Sequence, residues 1–295
     1  MTLPTSDTLV AYASGALSET STVLHVEPAG DGRLAVITER TSFHPVDAAW
    51  PDQPADAGTM RVRGAAYVIR NAVVAATDGT SLHLGGDIPV RKGTEGWAFL
   101  VAHLVDEGAE IEQGDEAEIS ADAARRHALS VGHTTCHLAA LALNAALADR
   151  WSKPAREDAL GHPDFDGIAI DSSLIAPNGS VDRYRLNKSL RRAGFDTASL
   201  IERADALDEL ATAVGEQLDR WTAAAAAVRI DRDGEGLTDR RYWVCELPQG
   251  TARIPCGGTH VGSLAELGSI AVDFRIDDEG GTPVLELVTT AHLRH

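Results

Sequence analysis

The sequence predicts an α+β protein with a β-rich first part, residues 1–121, followed by a mixed α/β part, residues 122–295. Three observations carry this expectation. Short β-favouring runs separated by Gly, Asp and Pro crowd the first 120 residues. Near Ser120 the apolar spacing changes to the threes and fours of a helix. After a second, alanine-rich helical stretch, strand alternation returns.

In chain order, "STVLHVEP", "RLAVITE", "MRVRGAAYVIRNAVVAA" and "WAFLVAHLV" read as strands, and their number and spacing predict a small barrel or two packed sheets. The Pro- and Asp-rich "HPVDAAWPDQPADAGT" between them reads as a loop. From Ser120, residues Leu129, His133, Cys136, His137, Ala140, Leu141, Asn144 and Leu147 recur at mostly helical intervals, which predicts a helix with a buried face. Pro154 requires it to stop before "SKP". "FDGIAIDSSLIAPNGSVDRYRL" reads as two strands joined by a Pro177–Asn178–Gly179 turn. A long alanine-rich helix is expected from about Leu200 to Val228, and "RYWVCELP" and "GSIAVDFRIDD" through "TPVLELVTTAH" resume strands. No internal repeat or low-complexity linker interrupts the chain.

At 295 residues, with 44% apolar and 24% charged positions, the chain can bury a substantial core, which excludes a disordered or fibrous protein. Its apolar runs are short of membrane-spanning length, and the opening "MTLPTSDTLVAYASG" lacks the basic segment of a secretory signal, so a cytoplasmic location is expected. Three unevenly spaced cysteines do not make a disulfide framework. With 26 Lys and Arg against 44 Asp and Glu, the formal charge is −18, which argues against a sequence-independent nucleic-acid binder, and no DNA partner is expected. Positive charge is nevertheless concentrated at Arg125–Arg126 and in "DRYRLNKSLRR". The oligomeric state is left open.

Two short segments carry the chemistry. In "HTTCH" the helical rise stacks His133 and His137 on one face; in "CGGTH", Cys256 and His260 flank a turn that Gly257 and Gly258 free to curl. Together they offer three imidazoles and one thiolate, a donor set suited to tetrahedral Zn2+ and too soft for magnesium or calcium. Cys136 sits one residue before His137, about 100° around the helix, and reads as a packing residue, as does Cys245. Without the glycine side chains a substrate could approach closely, which makes Gly257, Gly258 and Thr259 candidate substrate contacts.

"HTTCH" followed by "LAALALNAAL", and then "CGGTHVGSLAELGSI", resemble the zinc motifs of the freestanding alanyl-tRNA editing proteins and of the related editing domains in alanyl- and threonyl-tRNA synthetases. "ERTSFHP", "QPADAG", "HLVDEGAEIEQGDEAEISAD" and "NGSVDRYRL" extend the resemblance over most of residues 35–275, while "VDAAWPD" replaces the usual glycine-rich portion before "QP". The resemblance implies a β-barrel-like domain joined to a synthetase-type editing domain. It also implies zinc at His133, His137, Cys256 and His260 as the catalytic centre, and hydrolysis of a mischarged aminoacyl-tRNA. Seryl-tRNA charged on the alanine tRNA is the expected substrate, with Thr41 meeting the serine hydroxyl. A threonine-like or fluorothreonyl group is the alternative. Zinc would either activate water or grip the substrate amino group. Four protein ligands also fit a purely structural zinc, hence a non-catalytic tRNA-binding module. Arg125, Arg126, Arg183, Arg185, Lys188, Arg191 and Arg192 are the candidate contacts to the tRNA acceptor end.

Overall fold

The computed structural model describes residues 3–294. The chain forms two compact units, one of Met1–Arg126, Ile230–Arg241 and Cys256–Thr259, the other of His127–Arg229, Tyr242–Pro255 and His260–His295. No helix is long and apolar enough to cross a membrane among the described residues.

The first unit is β-sheet-rich. Its strands are β1 (Leu9–Val10), β2 (Ser18–Gly30), β3 (Arg33–Thr38), β4 (Arg40–Thr41), β5 (Gly58–Val62), β6 (Ala65–Ile69), β7 (Asn71–Thr77), β8 (Leu82–Leu84), β9 (Ala98–Asp106) and β10 (Glu116–Ala121). Apart from a short parallel β1–β4 pair, they form one antiparallel sheet in the order β6-β5-β10-β2-β3-β9-β7-β8. Two-residue loops with positive φ close the hairpins at Asp31–Gly32 and Arg63–Gly64, the twist that such tight loops require. The central strands are buried on both faces. On β9, Phe99, Val101 and Val105 join the larger apolar cluster, while Ala98, Leu100 and Ala102 join a smaller one on the opposite face.

The barrel expected from the sequence is not formed. The order of the eight-stranded sheet begins at β6 and ends at β8, two short strands that do not pair with each other, so the sheet stays open. Closure needs the last strand's backbone groups to meet those of the first, a property of register that strand number and spacing do not encode.

The second unit is α/β. It contains α1 (Ala123–Ala146) from His127 onward, α2 (Phe165–Ala169), β11 (Ile170–Ala176), β12 (Gly179–Arg185), α3 (Lys188–Ala193), α4 (Ala198–Ile201) and α5 (Ala206–Ala223). β13 (Val228–Arg232), of which only Val228 and Arg229 belong to this unit, β14 (Arg241–Leu247) from Tyr242 onward, β15 (Gly250–Pro255), β16 (Leu267–Glu279) and β17 (Thr282–Leu293) follow. Its main sheet runs β11-β12-β17-β16, all antiparallel; α5 packs on β16, and Leu210, Val214, Leu218 and Trp221 lie on its buried side.

Two elements depart from the sequence reading. "FDGIA" is helical rather than extended, because the Asp164 side chain caps it by accepting from the Gly167 N–H. The alanine-rich helix is two helices separated by residues 202–205, and the second ends at Ala223. Beyond it Ala225 turns to φ 50°, the Leu264 N–H donates to the Ala226 carbonyl, and the Val228 N–H donates to the Gly262 carbonyl. These long-range bonds draw the backbone out of the helix against the propensity of alanine.

Candidate metal centre

α1 is held in place by backbone. The turn joining β11 and β12, in which Asn178 takes φ 59°, donates its Asn178 N–H to the Ala128 carbonyl. A Cβ on Gly132 would lie 2.2 Å from the Ala176 carbonyl oxygen, so only glycine lets the helix and the turn approach this closely. The next residue is His133, and His137 follows one turn later with its ring centroid 4.9 Å away. The His260 ring lies 4.5 Å from that of His133 and 5.1 Å from that of His137. The Trp243 indole, 5.2 Å from the His137 ring, walls the group on another side. Thr134 accepts the Val261 N–H at 3.2 Å and meets His260 Nδ1 at 3.2 Å, which orients the His260 ring.

Cys256 follows directly on β15. Its N–H donates to the Arg241 carbonyl at 3.0 Å, and the Gly258 N–H reaches its Sγ at 3.4 Å. His133, His137, Cys256 and His260 each present one ligand atom, and the four atoms lie within 4.8 Å of one another. Tetrahedral bonds of about 2.0–2.3 Å would set the ligand atoms under 4 Å apart, so the cluster needs only a modest contraction to hold a metal ion. His137 Nε2 is buried without a hydrogen-bond partner among the described residues, which fits a ligand awaiting a cation. Burial lowers the His137 pKa to about 4, keeping the imidazole neutral as metal ligation requires. Burial likewise pushes the Cys256 thiol up to about 12, offset in part by the Gly258 N–H. A bound cation would reverse that preference and favour the thiolate.

The remaining residues singled out from the sequence are placed as follows. Thr41 is fully buried in the first unit; it accepts the Phe43 N–H at 3.0 Å and lies 2.8 Å from His103 Nε2. The other His103 nitrogen, Nδ1, faces the Val36 carbonyl at 3.0 Å, which makes Nδ1 the donor and Nε2 the acceptor of the Thr41 hydroxyl. Gly257 is exposed, whereas Gly258 and Thr259 are buried. Thr259 accepts from Gln53 Nε2 at 3.0 Å and donates its N–H to Gln53 Oε1 at 3.1 Å. Arg126 is buried, paired with Asp56 and bonded to the Ser42 carbonyl, while Arg125 is half-buried. Arg183 pairs with Glu279 and Glu286, and Arg185 with Asp171. Lys188, Arg191 and Arg192 are exposed on α3 and form no ion pair among the described residues.

Gln53, His103 and Trp243 were not visible as site residues in the sequence. Gln53 stood in the quoted "QPADAG" segment, but nothing local signals a partner 206 residues away. Cys136 turns away from the four ligands and contacts Asp182 at 3.4 Å.

No protein-family model matches the chain. It is similar to alanine–tRNA ligases: 31% identical over 204 residues to that of Cereibacter sphaeroides, which takes in 68% of this chain and 21% of the relative. The alanine–tRNA ligase of Akkermansia muciniphila is 24% identical over 266 residues, 88% of this chain and 23% of the relative. That of Rhodopseudomonas palustris is 25% identical over 278 residues, 88% of this chain and 26% of the relative. The chain thus spans about a fifth to a quarter of the length of these relatives, to which it is distantly homologous.

Proposed function

We propose that the protein is a zinc-dependent hydrolase that clears a wrongly attached amino acid from tRNA, with seryl-tRNA charged on the alanine tRNA as the substrate. The convergence of His133, His137, Cys256 and His260 carries this reading, and the distant homology to alanine–tRNA ligases supports it. An aminoacyl ester is already activated, so hydrolysis needs a polarised carbonyl and an oriented water rather than a nucleophilic triad. A zinc ion held by the four residues would supply Lewis acidity beside the ester. Water adds to the carbonyl, the ester C–O bond breaks, and the ribose oxygen leaves with a proton. Gly257, without a side chain, leaves room for a substrate beside Cys256, and Gln53 fixes the turn by clasping Thr259. We assign Thr41 to reading the substrate hydroxyl. Because its own proton goes to His103, it would meet that hydroxyl as an acceptor.

A second reading is favoured by the ligand count, since four protein ligands complete a tetrahedral site and are what a structural zinc uses. One experiment separates the two. Elemental analysis should find about one zinc per chain, lost when all four ligands are replaced. Seryl-, threonyl-, fluorothreonyl- and correctly charged alanyl-tRNA are then offered to the zinc-loaded protein. Rapid release of serine with alanyl-tRNA spared supports the proposal, and preference for fluorothreonine reassigns the substrate. Full zinc occupancy with no ester hydrolysed leaves the structural role.

A further inference from the structure

Arg241 is 6% exposed, yet among the described residues no carboxylate pairs with it. Its guanidinium donates from Nη1 to the Gly236 carbonyl at 3.1 Å and from Nη2 to the Leu237 carbonyl at 3.0 Å, and Nε, also buried, donates to nothing. The Tyr12 ring lies 5.8 Å away, a cation–π contact at the outer edge of its range and the weaker for it. An arginine is not relieved of its charge by deprotonation, so the cost of burial must be met by a partner. The same residue borders an opening. A side chain built on the exposed Gly257 would meet only Arg241 Nη2, at 3.9 Å, and no other atom within 4 Å. Gly257 is not among the residues with positive φ, so neither backbone conformation nor crowding by the chain requires glycine there, and the room beside Arg241 is open to a ligand.

We propose that Arg241 and the space above Gly257 form an anion site that takes a phosphate oxyanion, with the remaining N–H of Nη2, the Arg241 atom nearest that space, as the donor. An N–H of a guanidinium donating to a phosphate oxygen makes a charge-assisted hydrogen bond, stronger than a neutral one. The identity of the anion rests on the function proposed above. In an aminoacyl-tRNA the amino-acid carboxyl is esterified and carries no charge, so the anions nearest the reacting bond are the phosphodiesters of the acceptor end. The Arg241 carbonyl also holds the Cys256 N–H, which ties the anion site to the turn bearing a candidate metal ligand.

The test uses adenosine 5′-monophosphate, adenosine and inorganic phosphate, titrated calorimetrically into the full chain loaded with zinc. The nucleotide should bind at least tenfold more tightly than adenosine. Arg241→Gln should weaken the nucleotide about ten- to a hundredfold and leave adenosine unchanged, and Arg241→Lys should fall between. Arg241 also pins two carbonyls, so Gly257→Ala serves as a second variant that fills the space with a methyl group while keeping the arginine. It should lower nucleotide affinity by a similar factor at unchanged zinc content and circular dichroism. Equal binding of phosphate and nucleotide would mark a free-phosphate site instead. Indifference of nucleotide binding to both Arg241→Gln and Gly257→Ala overturns the proposal. Deacylation is assayed separately: hydrolysis that survives with no nucleotide discrimination sinks the anion site alone, and absent hydrolysis with intact discrimination sinks the editing function alone.

Discussion

At Thr41 the structure adds chemistry that the sequence does not carry. The sequence marks it by the segment around it, but the atom that orients its hydroxyl, His103 Nε2, sits 62 residues further on in an apolar strand where a lone histidine gives no sign of a role. Thr41→Val should therefore do two things: lower kcat/KM for seryl-tRNA more than for alanyl-tRNA, and destabilise the fold by about 1–3 kcal/mol by leaving a buried acceptor unmet. Thr41→Ser keeps the hydroxyl and should restore both. An unchanged serine-to-alanine preference in the valine variant would remove Thr41 from recognition. Asp166 offers a pH handle of the same grain. Burial, with smaller contributions from Asp182 and Asp164, raises its carboxyl from 3.8 to about 7, while the Tyr184 hydroxyl donates to it at 3.0 Å. The folded chain thus prefers the neutral acid. Its contribution to stability is complete below 3.8 and is lost as pH rises through about 7, at up to about 1.4 kcal/mol per pH unit. Asp166→Asn keeps an oxygen for Tyr184 and should flatten that part of the curve in denaturant titrations at stepped pH. An unaltered slope would exonerate Asp166.

At the level of elements, α1 was readable because its apolar spacing is regular over many turns, and the β11–β12 hairpin because Asn178 supplies the turn. The end of α5 at Ala223 was not, since the hydrogen bonds that draw the chain away beyond it come from residues 262 and 264, and alanine alone favours continuing the helix. Sheet closure failed for a related reason: period-two patterning shows which face is buried but not which edge finds which. α1 also carries a sharp test. On an open helix Gly132→Ala would gain about 1 kcal/mol. Here the added Cβ meets Ala176 O at 2.2 Å, Gly179 O at 2.6 Å and Gly179 N at 2.9 Å, all backbone atoms with little freedom to yield. A net loss of about 1–3 kcal/mol is expected, with weaker metal uptake because His133 is adjacent. Equal or greater stability would show that the helix does not lean on that turn.

For the molecule as a whole, a charge of −18 sets a long-range field that opposes a polyanion, so any tRNA contact has to be local. The structure thins the basic segment read from the sequence: Arg183 and Arg185 already answer carboxylates, leaving Lys188, Arg191 and Arg192 exposed on α3. Replacing these three by alanine suits a helix with an Asn187 cap and a Gly194 stop. It should weaken tRNA association and make its logarithmic salt dependence shallower by up to about 3, with zinc content unchanged. Identical association and salt slope would make α3 an ordinary wetted surface.

The spacing of the four candidate ligands has a consequence for how the protein is made. About 120 residues separate His137 from Cys256 along the chain; at roughly 5–20 residues per second, the two helical imidazoles leave the peptidyl transferase on the order of ten seconds before the thiol. During that interval the nascent chain offers a bare nitrogen pair, which would hold copper or nickel at least as readily as zinc. If the proposed zinc is bound, selection for it would fall to the last residues of the site to be synthesised, and metal supply at the moment of translation would become part of the protein's maturation.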